Sequence, residues 1–182
     1  MKKLTIYCAR PISGRNGQEI IQYYRNIQKT LETLGYNVLH PMVAKGYLSN
    51  DIKMDAAGYT QPISTNKAIF NRDRWMVKTA DVVYMDLSMA TQASIGCISE
   101  LTISYENGKH SILVLPNGNI HEHAFILEMA GIIFQTEHDA LQYLQHLSSQ
   151  SISNPPIAPD LDMGMPRWLK ESIDPKDILP NK

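Results

Sequence analysis

Hydrophobic residues along the chain alternate between short continuous runs and longer stretches with helical spacing. The continuous runs, bounded by polar or turn-forming residues, lie at 4–9, 36–40, 81–87, 111–116 and 131–134. The stretches with helical spacing lie at 18–34, 67–79, 95–107, 122–130 and 136–147. This alternation predicts a strand at each run and a helix at each stretch.

Strands that alternate with helices in this way form a parallel sheet covered on both faces. We therefore predict a single doubly wound, flavodoxin-like (Rossmann-like) α/β domain with five parallel strands. With the strand order 2-1-3-4-5, ligands bind where the order reverses, beyond the carboxyl ends of the first and third strands. Loops 9–17 and 88–96 meet there, and both are rich in small and hydroxyl residues and lead into helices. Free N–H groups at the start of these helices would attract an anion.

Two segments depart from the alternating pattern. The connection 41–66 is much longer than the ~2–6 residues usual in such units, so we predict a lid or substrate loop. The segment 149–182 is a proline-rich C-terminal tail, in which Trp168 and Leu169 are candidate anchors.

Composition narrows the possible partners and compartments. The chain is 43% hydrophobic and 19% charged, as in globular proteins, and a net charge of -1 argues against nucleic-acid binding. No apolar stretch approaches the ~20 residues of a membrane span, and the apolar run at the start is too short for a signal peptide. Cys8 and Cys97 are predicted to be buried thiols in a reducing compartment. We therefore expect a cytoplasmic protein that contacts neither a membrane nor a nucleic acid.

Residue types and positions together indicate an enzyme that uses carboxylates beside an anion pocket. Helical periodicity alone, with Ile98, Leu101 and Tyr105 on one face, places Glu100 on the opposite, solvated face. Its location one turn into the helix at the predicted crevice favours a functional role instead.

Four further polar residues lie in segments where a functional role is possible. Asp73 lies in the cluster RDR, which is typical of a solvated face, whereas Asp86 ends the third strand and is a second candidate carboxylate. His121 and His123 alternate as ligands on a strand would, but no third ligand has suitable spacing. We expect no metal and no cofactor.

Four segments in this order, IYCARPISG (6–14), NRDRW (71–75), ADVVYMDL (80–87) and SIGCISELTISYENGK (94–109), resemble the nucleoside 2-deoxyribosyltransferase superfamily. That superfamily includes 2′-deoxynucleoside 5′-monophosphate N-glycosidases. The resemblance covers roughly residues 4–134 and implies a catalytic domain at 1–148.

The resemblance implies roles for three residues in catalysis. The family's nucleophilic glutamate ends a G-x-x-x-E motif that falls on Gly96 and Glu100, and it forms a covalent glycosyl-enzyme. Asp73 matches the family aspartate that is a candidate to assist the departing base, and Tyr7 matches a tyrosine that holds the nucleophile.

The resemblance also implies a phosphate site. Ser94 stands where the transferases tend to have an aspartate and the monophosphate hydrolases a serine, because a carboxylate would repel a 5′-phosphate. Ser13, Gly14 and Arg15 are candidates to complete this site. His123 falls near a residue that reaches the phosphate from a neighbouring subunit, which implies a homodimer or higher homo-oligomer. Arg10 departs from the glycine of many relatives.

The sequence thus predicts an enzyme that hydrolyses the N-glycosidic bond of a (2′-deoxy)nucleoside 5′-monophosphate. Two alternatives stay open: a deoxyribosyltransferase that exchanges bases on free deoxynucleosides, and a protein that binds a nucleotide without cleaving it.

Overall fold

Strands and helices alternate along the chain in the predicted order. The computed structural model describes residues 3–50 and 53–149. The strands are β1 (Thr5–Ala9), β2 (Asn37–Leu39), β3 (Val82–Asp86), β4 (His110–Val114) and β5 (Ile132–Phe134). The helices are α1 (Gly17–Thr33), α2 (Asn66–Thr79), α3 (Ile95–Glu106), α4 (Ala124–Met129) and α5 (Glu137–Ser149).

All five strands form one parallel sheet in the order β2-β1-β3-β4-β5, as predicted. β1 pairs with β3 in the register that places Tyr7 beside Val83. The loops after these two strands therefore emerge side by side. The doubly wound, flavodoxin-like α/β fold is confirmed.

Each face of the sheet packs against its own hydrophobic core. Alternation along β1 directs Ile6 and Cys8 into the core with α1 and α5, and Tyr7 and Ala9 into the core with α2, α3 and α4. Cys97 lies in the second core, so the two cysteines are buried on opposite faces of the sheet as free thiols. Their predicted burial is confirmed.

The long connection between β2 and α2 is held against the first loop of the sheet. It contains two short 3₁₀ turns, at Gly46–Asn50 and Pro62–Ser64. Met54 donates to the carbonyl of Arg15 and accepts from the N–H of Gly14, both at 2.8 Å. Because of these bonds, the connection lies over the carboxyl edge of the sheet.

The proline-rich tail, with Trp168 and Leu169, lies outside the described residues. Within residues 3–50 and 53–149, none of the helices has both the length and the apolar character that crossing a membrane requires.

Candidate active site

A cavity opens at the carboxyl edge of the sheet, next to the ends of β1 and β3. Its volume of about 390 Å³ falls within the ~300–1,000 Å³ of small-molecule sites. Its walls come from the loop after β1, the connection between β2 and α2, helix α2 and the start of α3. Among its lining residues are Ser13, Lys45, Asp73, Ser94, Gly96 and Glu100. Five of the residues singled out from the sequence thus share one cavity.

Glu100 is tied to the sheet by a short hydrogen bond. The hydroxyl of Tyr7, which is fully buried in β1, donates to Oε1 of Glu100 at 2.6 Å. The buried face of α3 is formed by Cys97, Leu101 and Ser104, and Glu100 is half-buried beside it. The solvent-facing position that periodicity predicted for Glu100 is therefore wrong, as is the buried position of Tyr105, which is 55% exposed.

The environment of Glu100 raises the pKa of its carboxyl above its ordinary value. Burial raises the pKa of this carboxyl to about 8, and the negative charge of Asp73 also raises it. The hydrogen bond from Tyr7 and the positive charge of Lys45 act in the opposite direction. The carboxyl can therefore gain or lose its proton near neutral pH, and such perturbed groups in a cavity are typical of functional sites.

Asp73 is buried, with 8% of its surface exposed, so the solvated position expected from its RDR cluster is wrong. The guanidinium of Arg72 binds its Oδ1 through Nε at 2.9 Å and through a terminal nitrogen at 2.8 Å. Arg72 is itself oriented by the carbonyls of Pro41 and Ile63. Burial raises the pKa of Asp73, while Arg72 and Lys45 lower it.

Ser94 and Gly96 open helix α3 at the cavity. Ser94 is the N-cap, and its side chain accepts from the N–H of Cys97 at 3.4 Å. The Ser94 N–H donates to Nε2 of His121 at 2.8 Å, so this N–H group is already used. A Cβ on Gly96 would meet open space, so the backbone of the first helical turn is accessible to a ligand.

The loop after β1 divides into residues that line the cavity and residues that do not. Ser13 and Arg10 line it. Gly14 and Arg15 lie outside its wall; the Gly14 N–H is bonded to Met54, and the Arg15 guanidinium donates to the carbonyl of Met89 at 2.9 Å. The structure therefore places Arg10 rather than Arg15 beside the other site residues.

Asp86 is not among the residues that line the cavity, but it contacts Arg10, which is. Its carboxylate accepts from the N–H and hydroxyl of Ser88, at 3.0 and 2.6 Å, and pairs with Arg10 at 3.7 Å. Arg10 also stacks on the ring of Tyr23, with its guanidinium carbon 3.7 Å from the centroid. Asp86 thus orients Arg10, a cation in the cavity wall.

His123 lies outside the cavity that contains Glu100. It caps helix α4 by accepting from the N–H of Phe125 at 3.3 Å, and it lines a separate cavity of about 890 Å³ beside α3 and α4. His121 and His123 lie in the connection before α4, and the helix predicted at 122–130 begins just after them, at Ala124. Among the described residues, no group of three or more His, Cys, Asp and Glu side chains is placed to hold a metal ion.

Lys45 is a charged residue of the cavity wall that the sequence analysis missed. It is only 5% exposed and lies beside Asp73 and Glu100. Its one sequence signal is its position in the apolar stretch PMVAKGYL, where a lysine interrupts residues that pack into the core. That signal does not specify which carboxylates the lysine will face.

A family model described as "Nucleoside 2-deoxyribosyltransferase" matches residues 6–144, and the chain belongs to this family. It is therefore an enzyme, and the family supports glycosyl transfer or hydrolysis at a nucleoside. The predicted superfamily is confirmed.

Two solved structures share the fold. A 2-deoxyribosyltransferase of Bacillus psychrosaccharolyticus is 21% identical and superposes with a TM-score of 0.56, over 76% of this chain and 91% of its own. A CMP N-glycosidase of Clostridium botulinum is 15% identical and superposes with a TM-score of 0.50, over 79% of this chain and 98% of its own. Comparison with curated proteins gives no match.

Proposed function

We propose that this member of the nucleoside 2-deoxyribosyltransferase family hydrolyses the N-glycosidic bond of a (2′-deoxy)nucleoside 5′-monophosphate. The products are the free base and (deoxy)ribose 5-phosphate. The observation that carries the proposal is the shared cavity: Glu100, bonded to Tyr7, lies in one wall with Ser94 at the start of α3. This arrangement supports a carboxylate nucleophile within reach of a sugar whose phosphate sits at a helix N-terminus.

The reaction begins with attack of the ionised Glu100 carboxylate on the anomeric carbon. The C1′–N bond breaks, its electron pair leaves with the base, and the sugar becomes an ester of Glu100. Water then attacks the same carbon and releases the carboxylate. The hydrogen bond from Tyr7 supports this role, because it orients the carboxylate and favours its ionised form.

The 5′-phosphate is assigned to the end of the cavity formed by Arg10, Ser13 and Ser94. A hydroxyl at Ser94 donates to a phosphate oxygen where a carboxylate would repel it. Arg10 supplies positive charge and is held in position by Asp86 and Tyr23. Arg15, outside the cavity wall, would act on the phosphate only through the loop that it fixes.

The test is release of free base, followed by chromatography, from deoxynucleosides and their 5′-monophosphates with and without an added acceptor base. Glu100→Ala is compared with Glu32→Ala, which removes an exposed glutamate on α1. Release from monophosphates alone, lost only in Glu100→Ala, supports the proposal. Exchange of bases on free nucleosides would instead favour the transferase, and nucleotide binding without release would favour a binding protein.

We also propose that the protein is a homodimer in which His123 serves the neighbouring subunit. The surface around His123 is apolar: Phe125 is 72% exposed, and Ile120 and Tyr105 are each 55% exposed. A second copy of the chain would cover these side chains. Sedimentation should give a dimer for the wild type and a monomer for Phe125→Asp; a monomeric wild type that is fully active would contradict this proposal.

A further inference from the structure

Lys45 is a buried residue whose ammonium group has no bonded partner among the described residues. The side chain is 5% exposed and lines the cavity with Glu100 and Asp73. Within residues 3–50 and 53–149, its ammonium group makes no hydrogen bond and no ion pair within 4 Å. A buried ammonium is unfavourable unless it is paired, so a group that is unpaired inside a ligand cavity is suited to pair with the ligand.

The backbone around Lys45 is arranged to hold the side chain in this place. Met42 and Leu48, on either side, are anchored in the core, and their backbones bond to Lys45 at 3.1 and 3.0 Å. Ala44, the preceding residue, has a φ of +60°, a left-handed conformation that is unfavourable for any residue with a Cβ. Such strained positions are typical of functional sites, where the surrounding structure enforces them.

Burial, together with the charge of Arg72, makes Lys45 a better proton donor than an ordinary lysine. Burial and the positive charge of Arg72 lower the pKa of Lys45 to about 8, against the influence of Asp73 and Glu100. Asp73, in contrast, already binds Arg72 through two nitrogens. An acid with a pKa near the operating pH is the most effective general acid, and Lys45 meets this condition.

We propose that Lys45 is the general acid that protonates the departing base, an inference that rests on the proposed N-glycosidase function. As the C1′–N bond breaks and Glu100 bonds to C1′, the ammonium gives one proton to a ring nitrogen or carbonyl oxygen of the base. Lys45 is then a neutral amine. When water attacks C1′ and the Glu100 carboxylate leaves, the amine takes the proton of that water and becomes an ammonium again. The sum is consumption of one water and release of base and sugar phosphate.

This role predicts that the need for Lys45 depends on the leaving base. Lys45→Met should lower kcat/KM by about 10²–10⁴-fold on an ordinary monophosphate, the usual contribution of a general acid. It should hardly change the rate on a base that departs without a proton. Suitable bases are 7-methylated purines, which leave as neutral molecules, or strongly electron-poor 5-substituted uracils. The purine compound is used if the wild type releases purines, and the uracil compound is used if it releases pyrimidines.

Lys45→Arg separates proton donation from charge. Arginine keeps the positive charge beside Glu100 but does not give up its proton. The account predicts that Lys45→Arg is as slow as Lys45→Met on the ordinary base, while both remain active on the activated one. Lys29→Met, which changes an exposed lysine on α1, is the control and should behave as the wild type.

Three outcomes would overturn the inference. Equal losses of Lys45→Met on both kinds of base would show that the lysine positions Glu100 or the substrate, and recovery in Lys45→Arg would show that only its charge matters. Activity retained on the ordinary base by a folded Lys45→Met, checked by circular dichroism, would remove it from the reaction. The proposed function fails separately, if the wild type releases no base or if Glu100→Ala remains active.

Discussion

The hydroxyl of Tyr7 lies 2.6 Å from Oε1 of Glu100, joining residues 93 positions apart in the chain. Tyr7 is held rigidly, because it is fully buried in β1, the strand that pairs with β2 on one side and with β3 on the other. The side chain of Glu100 is therefore oriented by the sheet rather than by solvent. This relationship gives the carboxylate a fixed direction and opposes the effect of burial on its pKa, and the first prediction depends on it.

Removal of the Tyr7 hydroxyl should move the pH dependence of the reaction. Glu100 must be ionised to attack, and the hydrogen bond from Tyr7 lowers the pKa of this carboxyl against the effect of burial. Tyr7→Phe should thus shift the acidic limb of kcat/KM to higher pH. At pH 7 the rate should fall about 10–100-fold, since a hydrogen bond to a charged group contributes ~1.5–3 kcal/mol. A pH–rate profile checks this, and an unmoved limb would contradict it.

The same carboxyl should make the protein less stable at alkaline pH. Because burial raises the pKa of Glu100 to about 8 from its ordinary value of 4.5, its contribution to stability is complete below pH 4.5 and is lost as the pH rises to 8. Glu100→Gln, which cannot ionise, should therefore melt several degrees above the wild type at pH 8.5, at about 2–4 °C per kcal/mol. At pH 4.5 the two proteins should melt together. A gain of equal size at both pH values would contradict this explanation.

The residue at position 94 should determine whether the enzyme prefers substrates with a 5′-phosphate or with a free 5′-hydroxyl. Ser94→Asp should lower kcat/KM for monophosphates by on the order of 100-fold, because like charges in contact cost several kcal/mol. The melting temperature should hardly change, since aspartate caps a helix as well as serine does. The kcat/KM for free nucleosides should rise relative to that for monophosphates. Ser94→Thr keeps the hydroxyl and serves as the control; an unchanged preference in Ser94→Asp would contradict the assigned phosphate position.

Asp86 should stabilise the folded protein through its ion pair with Arg10. Both side chains of the pair are nearly buried, with 9% of Arg10 and 3% of Asp86 exposed. Asp86→Asn keeps an acceptor for Ser88 but leaves the guanidinium without its counter-charge, which should cost about 3–5 kcal/mol. Denaturant unfolding measures this loss. If the losses of Asp86→Asn and Arg10→Met simply add in the double variant, the two residues are not coupled and the explanation is wrong.

The hydrophobic pattern was sufficient to predict five parallel strands in a doubly wound α/β fold, and the flavodoxin-like strand order taken with that fold gave the position of the crevice. Continuous apolar runs such as 81–87 identify central strands, and the order of a doubly wound sheet then determines which two loops meet. This is why Ser13 and Ser94, distant in the chain, could be expected to lie close together.

The burial of α3 could not be predicted from its apolar residues. The face that packs on the sheet contains the small residues Cys97 and Ser104, whose hydroxyl bonds that of Ser111 in β4 at 2.7 Å. Such a face has little hydrophobic contrast, whereas Tyr105 has much and is exposed. Periodicity therefore predicted the burial of Leu101 correctly but misplaced Tyr105 and Glu100. The position of Glu100 one turn into the helix, at the predicted crevice, agrees with its place in the cavity wall.

The charges around the carboxylates were also beyond sequence reasoning. The connection after β2 has no periodicity, so its path over the cavity, and with it the position of Lys45, follows from tertiary bonds such as those of Met54. Arg10 and Arg15 lie in one loop, and only their partners, Asp86 and the Met89 carbonyl, determine which of them faces the cavity.

The central claim, a covalent sugar phosphate on Glu100, is tested most directly by mass spectrometry of acid-quenched enzyme. A 2′-fluorinated arabino-nucleoside 5′-monophosphate, whose fluorine slows the release of the intermediate by destabilising positive charge at C1′, serves as the substrate. The account predicts a mass increase of one fluoropentosyl phosphate on the peptide that contains Glu100, present in Glu32→Ala and absent in Glu100→Ala. Rapid release of base without this adduct, or with an adduct on another residue, would contradict it.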